Sequence, residues 1–102
     1  MSASLLTGVI HLPPLPGSPR ARHSMADLAA RVVADARALA DAGFDLAMIE
    51  NFGDAPFFKD AVPAITVAAM TSCAEAIRAK VPDLALGINV LRNDVFSALA
   101  IA

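Results

Sequence analysis

Acid, amide and imidazole side chains follow apolar segments of this sequence at three separate points. His11 closes the run GVIH, Glu50 and Asn51 close the run LAMIEN, and Asn89 stands in GINVL ahead of Arg92. Histidine exchanges protons near neutral pH, and a carboxylate can act as a general base. An arginine holds a phosphate or carboxylate through two parallel hydrogen bonds. These residues predict a small-ligand site in which Glu50, His11 and Asn51 are the candidate catalytic residues.

Every candidate also has a structural interpretation, which the sequence leaves open. Glu50 either serves a ligand or hydrogen-bonds loop amides and pairs with Arg92. His11 either exchanges protons with a ligand or stays neutral and orders the loop that follows it. A further alternative makes Glu50 a ligand of a divalent cation together with Asp54 and Asp94, although carboxylates alone have no metal-specific spacing. The candidate ligand-binding residues are Asn89, Arg92, Asn93, Asp94, Asp54 and Lys59, and Asn93 or Asp94 also caps the following helix.

Short apolar runs alternate along the chain with longer segments of helical spacing. The short runs predict strands, and apolar residues three or four positions apart predict helices. Strands are predicted at 4–12, 45–50 and 84–91. The first helix is predicted from its cap Ser24 to Gly43, the second from Pro63 to Lys80, and the third from Asn93 or Asp94 to Ala102. Alternating strands and helices imply a parallel sheet with right-handed crossovers. The prediction is one α/β domain over residues 1–102 with the order βαβαβα.

The second predicted helix is rich in alanine and carries the single cysteine, Cys73. Its inner face is predicted to consist of Ile65, Ala68, Ala69, Ser72, Cys73, Ala76 and Ile77. Core packing is therefore the predicted role of Cys73, which has no histidine or cysteine close to it in sequence.

The candidate polar residues all come where a predicted strand ends. Ligands bind beyond the carboxyl ends of the strands in parallel α/β folds. The turns at the opposite ends, DAGF and VPDL, are short and carry no comparable group of polar residues. This asymmetry predicts that the acid, amide and imidazole side chains share one edge of the sheet.

Composition and charge exclude several classes of protein. The 102 residues are 57% hydrophobic, the net charge is −2, and the eight Lys and Arg are scattered, whereas nucleic-acid binding needs clustered positive charge. A single cysteine offers no disulfide framework, which fits a reducing compartment. No run approaches a membrane span of roughly 18 apolar residues, and the start lacks the features of a signal peptide. These observations predict a cytoplasmic protein without a transmembrane segment.

Three sequence blocks carry a resemblance to a known family. The blocks GVIHLPPLPGSPR, IENFGDAPF with Lys59, and GINVLRND resemble the BtpA family, sometimes labelled BtpA/SgcQ. The resemblance implies a (β/α)₈ barrel of the ribulose-phosphate-binding type. It also implies a role in biogenesis of photosystem I, a membrane complex, and hence a membrane-complex protein partner and a location peripheral to a membrane. A small phosphorylated or sugar-like ligand is implied by analogy of fold, and the identity of any cofactor is left open.

The length departs from that pattern. A (β/α)₈ barrel takes about 250 residues, so these 102 residues supply the first three βα units and resemble an amino-terminal piece. The phosphate-binding site of such barrels lies after strands seven and eight, beyond this sequence. The alternative function is therefore an inactive fragment of a sugar-metabolism barrel enzyme of the SgcQ type. A sheet without its next strand exposes an edge, which predicts poor solubility of the isolated chain unless it associates with itself, as a homo-oligomer, or with a carboxyl-terminal partner.

Overall fold

The computed structural model describes residues 5–54, 57–58 and 61–102, and within them strands and helices alternate along the chain. The strands are β1 (Thr7–His11), β2 (Leu46–Glu50) and β3 (Ala85–Asn89). The helices are α1 (Met25–Asp41), α2 (Ala64–Lys80) and α3 (Val95–Ile101), and a short 3₁₀ turn, Phe52–Asp54, follows β2. The α/β fold with the order βαβαβα, predicted from the sequence, is confirmed. Each strand is shorter than the apolar run that predicted it.

The three strands form one parallel sheet in the order β1-β2-β3. Their register has no offset at the carboxyl ends: His11 pairs with Glu50, and Glu50 pairs with Asn89. Because side chains alternate between the two faces of a strand, paired residues put their side chains on the same face. The sheet therefore carries straight rows of three side chains across its strands.

Helices cover one face of this sheet and leave the other uncovered among the described residues. Ile10 and Ile49 are fully buried in a core that also contains Leu28 of α1 and Met70 of α2. Val9, which points to the opposite face, is more than half exposed. The alternation of buried and exposed residues along β1 thus separates a packed helical side from an open side.

The ends of the helices match most of the predicted caps. The Ser24 hydroxyl accepts the Asp27 N–H at 3.1 Å and caps α1, and Gly43 follows α1 with a φ of 91°, a left-handed conformation suited to glycine. Asp94, not Asn93, caps α3. Pro63 lies just before α2 instead of inside its first turn, since its backbone is extended at the point where the loop turns into the helix.

The predicted inner face of α2 is only partly right. Ile65, Ala68 and Ser72 are exposed, and Thr66, Met70 and Ala74 are buried in their place, beside the correctly predicted Ala69, Cys73 and Ile77. The physical reason is composition: apolar residues surround α2, so their spacing does not define one face. Contacts with α1 and α3 on either side select the buried stripe.

Candidate functional site

The row at the carboxyl end of the sheet brings three of the predicted site residues together. Asn89 donates its side-chain N–H to Glu50 Oε2 at 2.7 Å, and His11 Nε2 lies 3.6 Å from Glu50 Oε1. The three strands present these residues side by side because their register is unshifted. Glu50 is thus the central member, with an amide on one carboxylate oxygen and an imidazole near the other.

His11 is much more accessible than Glu50, its partner in this row. Its side chain is 54% exposed, whereas that of Glu50 is 18% exposed. The imidazole stacks on the Phe52 ring, with centroids 4.5 Å apart and planes at 16°. Stacking on one side and the carboxylate on another restrict the orientation of the ring. The arrangement can therefore present one imidazole nitrogen to a ligand while the other lies near Glu50.

Asn51 follows Glu50 in sequence but serves the backbone of another loop. Its side chain is 1% exposed. The amide donates to the Leu91 carbonyl at 3.1 Å and accepts the Leu91 N–H at 2.6 Å. Both ends of the amide are therefore occupied by one residue beyond β3, which fixes the loop after β3 against the end of β2.

Asp54 fixes the loop after β1. Its Oδ1 accepts the Leu15 N–H at 2.8 Å. Burial raises the pKa of this carboxyl above its ordinary value of 3.8, and the hydrogen bonds from Leu15 and Asn51 act in the opposite direction. Asp54 thus ties the proline-rich loop to the turn after β2, and its environment disfavours the charged form.

Asp94 connects α3 with the segment before α2. Its carboxylate accepts the Ser97 N–H at 2.9 Å, the Ser97 hydroxyl at 2.6 Å and the Val62 N–H at 2.8 Å. These hydrogen bonds, those from Ser97 first, lower the pKa of the carboxyl below 3.8. Asn93, immediately before it, is exposed and has a φ of 68°, a left-handed conformation that asparagine tolerates.

Arg92 lies at an open groove beyond β3. The groove has a volume of about 490 Å³ and is also lined by Asn89, Asn93 and Asp94. Among the described residues the one basic side chain within 4 Å of the Glu50 carboxylate is that of His11, so the alternative pairing of Glu50 with Arg92 is not formed there. The remaining ligand-binding candidate, Lys59, lies outside the described residues.

Six of the predicted site residues thus fall into two groups. His11, Glu50 and Asn89 form one row with accessible polar atoms, whereas Asn51, Asp54 and Asp94 are engaged with the backbone of neighbouring loops. The described residues contain no group of three His, Cys, Asp or Glu side chains that could hold a metal ion. Asp54 and Asp94 bind different loops, so Glu50, Asp54 and Asp94 are not gathered around one point among these residues.

Phe52 was missed as a member of the site. The sequence contains a signal for it, since an aromatic residue follows two positions after Glu50 in the loop that begins at a strand end. Loop aromatics more often anchor loops, and the stacking on His11 becomes visible only in the folded chain.

No helix in the described part of the chain is long and apolar enough to cross a membrane.

Comparisons with known proteins give relatives of similar sequence and greater length. An uncharacterized protein of Methanocaldococcus jannaschii is 50% identical over 97 residues, which are 95% of this chain and 36% of that protein. An uncharacterized protein of Archaeoglobus fulgidus is 52% identical over 98 residues, 93% of this chain and 37% of that protein. The chain therefore spans about a third of the length of the curated relatives it matches. No solved structure matches it.

One similar protein has a name that states a role. Photosystem I biogenesis protein BtpA of Synechocystis sp. is 46% identical over 95 residues, 93% of this chain and 33% of that protein. The model of the BtpA family matches residues 2–102, and the three sequence blocks at the strand ends lie within that match. The chain belongs to the BtpA family.

Proposed function

We propose that this chain supplies part of an acid–base site for a small polar ligand, with His11, Glu50 and Asn89 as its central residues. The observation that supports it is the position of the Glu50 carboxylate between the Asn89 amide and the His11 imidazole. A row of this kind at the carboxyl ends of parallel strands is where α/β proteins of the barrel type build their ligand sites.

His11 exchanges the proton with the ligand in this proposal, because its imidazole is the titratable group of the row that is more than half exposed. Glu50 orients the imidazole, and Asn89 holds the carboxylate in place. Phe52 fixes the plane of the ring by stacking. Asn51 contributes by position, since its amide is bound to the Leu91 backbone.

The complete protein in this proposal is a (β/α)₈ barrel whose first three units are seen here. The uncovered face of the sheet, which carries Val9 and His11, then becomes the barrel interior. A sugar-like or phosphorylated ligand fits a polar row with an arginine at its rim, and Arg92 lies at the adjoining groove. The phosphate-binding site itself is expected on strands beyond this chain.

A ligand titration tests the proposal. Ribose 5-phosphate and ribose are added to the ¹⁵N-labelled chain, and the amide signals of His11, Glu50 and Asn89 are followed. Glu50→Gln keeps the shape of the side chain and removes its charge, so binding is expected to weaken about tenfold or more. Glu75→Gln, at an exposed position of α2, is the control and is expected to bind as the unchanged chain does. Equal affinity of the Glu50→Gln and Glu75→Gln variants for both sugars, or no shifts at the three amides, contradicts the proposal.

A second candidate function is participation in the assembly of a membrane complex through a protein partner. The printed name of the Synechocystis relative favours it. In that case co-purification with a membrane fraction is expected to persist in Glu50→Gln, because the partner binds a surface and not the acid–base row. Loss of co-purification in Glu50→Gln, with the fold intact by circular dichroism, argues against a role independent of the row.

A further inference from the structure

A second pocket lies among the loops, apart from the acid–base row. It has a volume of about 290 Å³, and its walls come from the loop after β1, the segment after β2, the first turn of α2 and the start of the loop after β3. The residues that matter for its chemistry are Ser18, Asp54, Phe57, Phe58 and Thr66. His11, Glu50 and Asn89 do not line it. Small-molecule pockets in proteins begin at about this volume.

The described walls of this pocket are fixed by close packing. Gly53 donates its N–H to the Leu12 carbonyl at 3.0 Å, and a Cβ at Gly53 would lie 2.5 Å from the Pro14 nitrogen. The two loops are therefore in backbone contact at a point where only glycine fits. The pair Asp54–Leu15 adds a second connection between the same loops.

The loop after β3, which forms another wall of the pocket, is also held in place by hydrogen bonds. The Asn51 amide binds the Leu91 backbone through both of its ends, and both residues line the pocket. Thr66, on the α2 side, is buried. The pocket thus exists before a ligand arrives, which reduces the entropy lost on binding.

The chemistry of the lining is aromatic with one acid. Phe57 and Phe58 are its two aromatic lining residues and Asp54 is its acid, beside apolar residues such as Val62 and Leu91. None of the described lining residues is Lys, Arg or His. Ring faces attract planar molecules and cations, and a carboxylate attracts a protonated amine. An anion such as phosphate finds no opposite charge among these residues.

We propose that this pocket binds a small aromatic or heterocyclic amine, with the ring against Phe57 and Phe58 and the amino group donating to Asp54. Burial raises the pKa of the Asp54 carboxyl, and a bound ammonium group reverses that effect by stabilising the charged form. Ser18 and Thr66 provide further hydroxyl groups for polar substituents of the ring. Asn51, the residue directly after Glu50, lines this pocket, so the pocket and the acid–base row are connected through adjacent residues of the chain.

Benzylamine, cyclohexylamine and benzoate are the probes for the test. They are titrated into the ¹⁵N-labelled chain while the amides of Leu15, Gly17, Ser18 and Thr66 are followed. Benzylamine is expected to bind with a dissociation constant on the order of 1 mM, more tightly than cyclohexylamine, which lacks the ring face, and benzoate, which has the wrong charge. Benzoate binding at these amides as tightly as benzylamine, or no benzylamine shifts at all, overturns the proposal.

Two variants locate the binding. Asp54→Asn keeps the acceptor for Leu15 and removes the charge, so benzylamine is expected to bind about tenfold more weakly. Asp83→Asn, at an exposed turn position, is the matched control. If Asp54→Asn fails to fold, Phe58→Ala decides, because its ring is 57% exposed: unchanged benzylamine affinity then overturns the proposal. Glu50→Gln is expected to leave benzylamine binding intact, which separates this pocket from the acid–base row.

Discussion

Asn51 holds the backbone of Leu91 through two hydrogen bonds, one donated at 3.1 Å and one accepted at 2.6 Å. This relationship joins the end of β2 to the loop after β3. It also forms part of the wall shared by the loops at the carboxyl end of the sheet. The residue that looked catalytic from its place beside Glu50 thus has a measurable structural role.

Replacing Asn51 by alanine is expected to lower the free energy of unfolding by about 2 kcal/mol or more. The truncation leaves the Leu91 N–H and carbonyl without their partner in a partly buried environment, and each unsatisfied buried group costs about 1–3 kcal/mol. Urea unfolding followed by circular dichroism measures the change. Asn89→Ala is the control, since its exposed contact with Glu50 is expected to contribute about 1 kcal/mol at most. Similar losses in both variants would show that the two hydrogen bonds to Leu91 contribute little.

Replacing Gly53 by alanine is expected to destabilise the chain by about 1–3 kcal/mol. The new methyl group would lie 2.5 Å from the Pro14 nitrogen and 2.6 Å from the Leu12 oxygen, both backbone atoms that cannot rotate away. Gly87→Ala is the comparison, because there the nearest atom, at 2.9 Å, is the terminal carbon of the flexible Met48 side chain. Thermal melts of the two variants are measured side by side. An equal or smaller effect at Gly53 contradicts the close contact between the two loops.

Asp94→Asn is expected to lower the thermal midpoint at neutral pH and to do so less as the pH falls. Hydrogen bonds lower the pKa of Asp94 below 3.8 in the folded chain, so its charged form stabilises the fold above pH 3.8. This stabilisation is lost as the pH falls below 3.8 through the folded pKa. Thermal melts of the unchanged chain and of Asp94→Asn, from pH 7 down to the lowest pH at which both still fold, test this. A constant difference between them at all pH values would contradict the prediction, and Asp83→Asn is the control.

Cys73 is expected to be unreactive towards thiol reagents in the folded chain. It is fully buried in α2, and burial raises the pKa of its thiol to about 11, so thiolate is about one part in 10⁴ at pH 7. Labelling with a chromogenic disulfide reagent is followed with increasing urea. The labelled fraction is expected to track unfolding measured by circular dichroism. Complete labelling within seconds in the absence of urea is the opposite outcome.

The isolated chain is expected to self-associate through the outer side of α3. Phe96 is 85% exposed, and Val95 and Leu99 are also more than half exposed, and exposed apolar residues grouped on one short helix favour association. Size-exclusion chromatography with light scattering measures the mass of the chain and of Phe96→Lys. The variant is expected to shift towards the monomer, whereas Ala79→Lys, on the exposed side of α2, leaves the mass unchanged. A monomeric unchanged chain contradicts this expectation.

The sequence determined the order of elements and the edge of the sheet on which polar residues gather. Apolar runs and helical spacing are local properties, so the alternation βαβαβα followed from residues close together in the chain. The position of His11, Glu50 and Asn89 at strand ends followed in the same way. The buried stripe of α2 did not, because apolar residues surround that helix and only its neighbours select the face that is covered.

Tertiary structure alone decided which polar residues act together. Glu50 and Asn51 are adjacent in sequence, yet one lies in the row with His11 and Asn89 and the other holds Leu91. Asn89 lies 39 residues from Glu50 in the chain, and Leu91 lies 40 residues from Asn51. Such pairings depend on the register of parallel strands and on the path of the loops. Both are set by packing between distant segments, which no local pattern records.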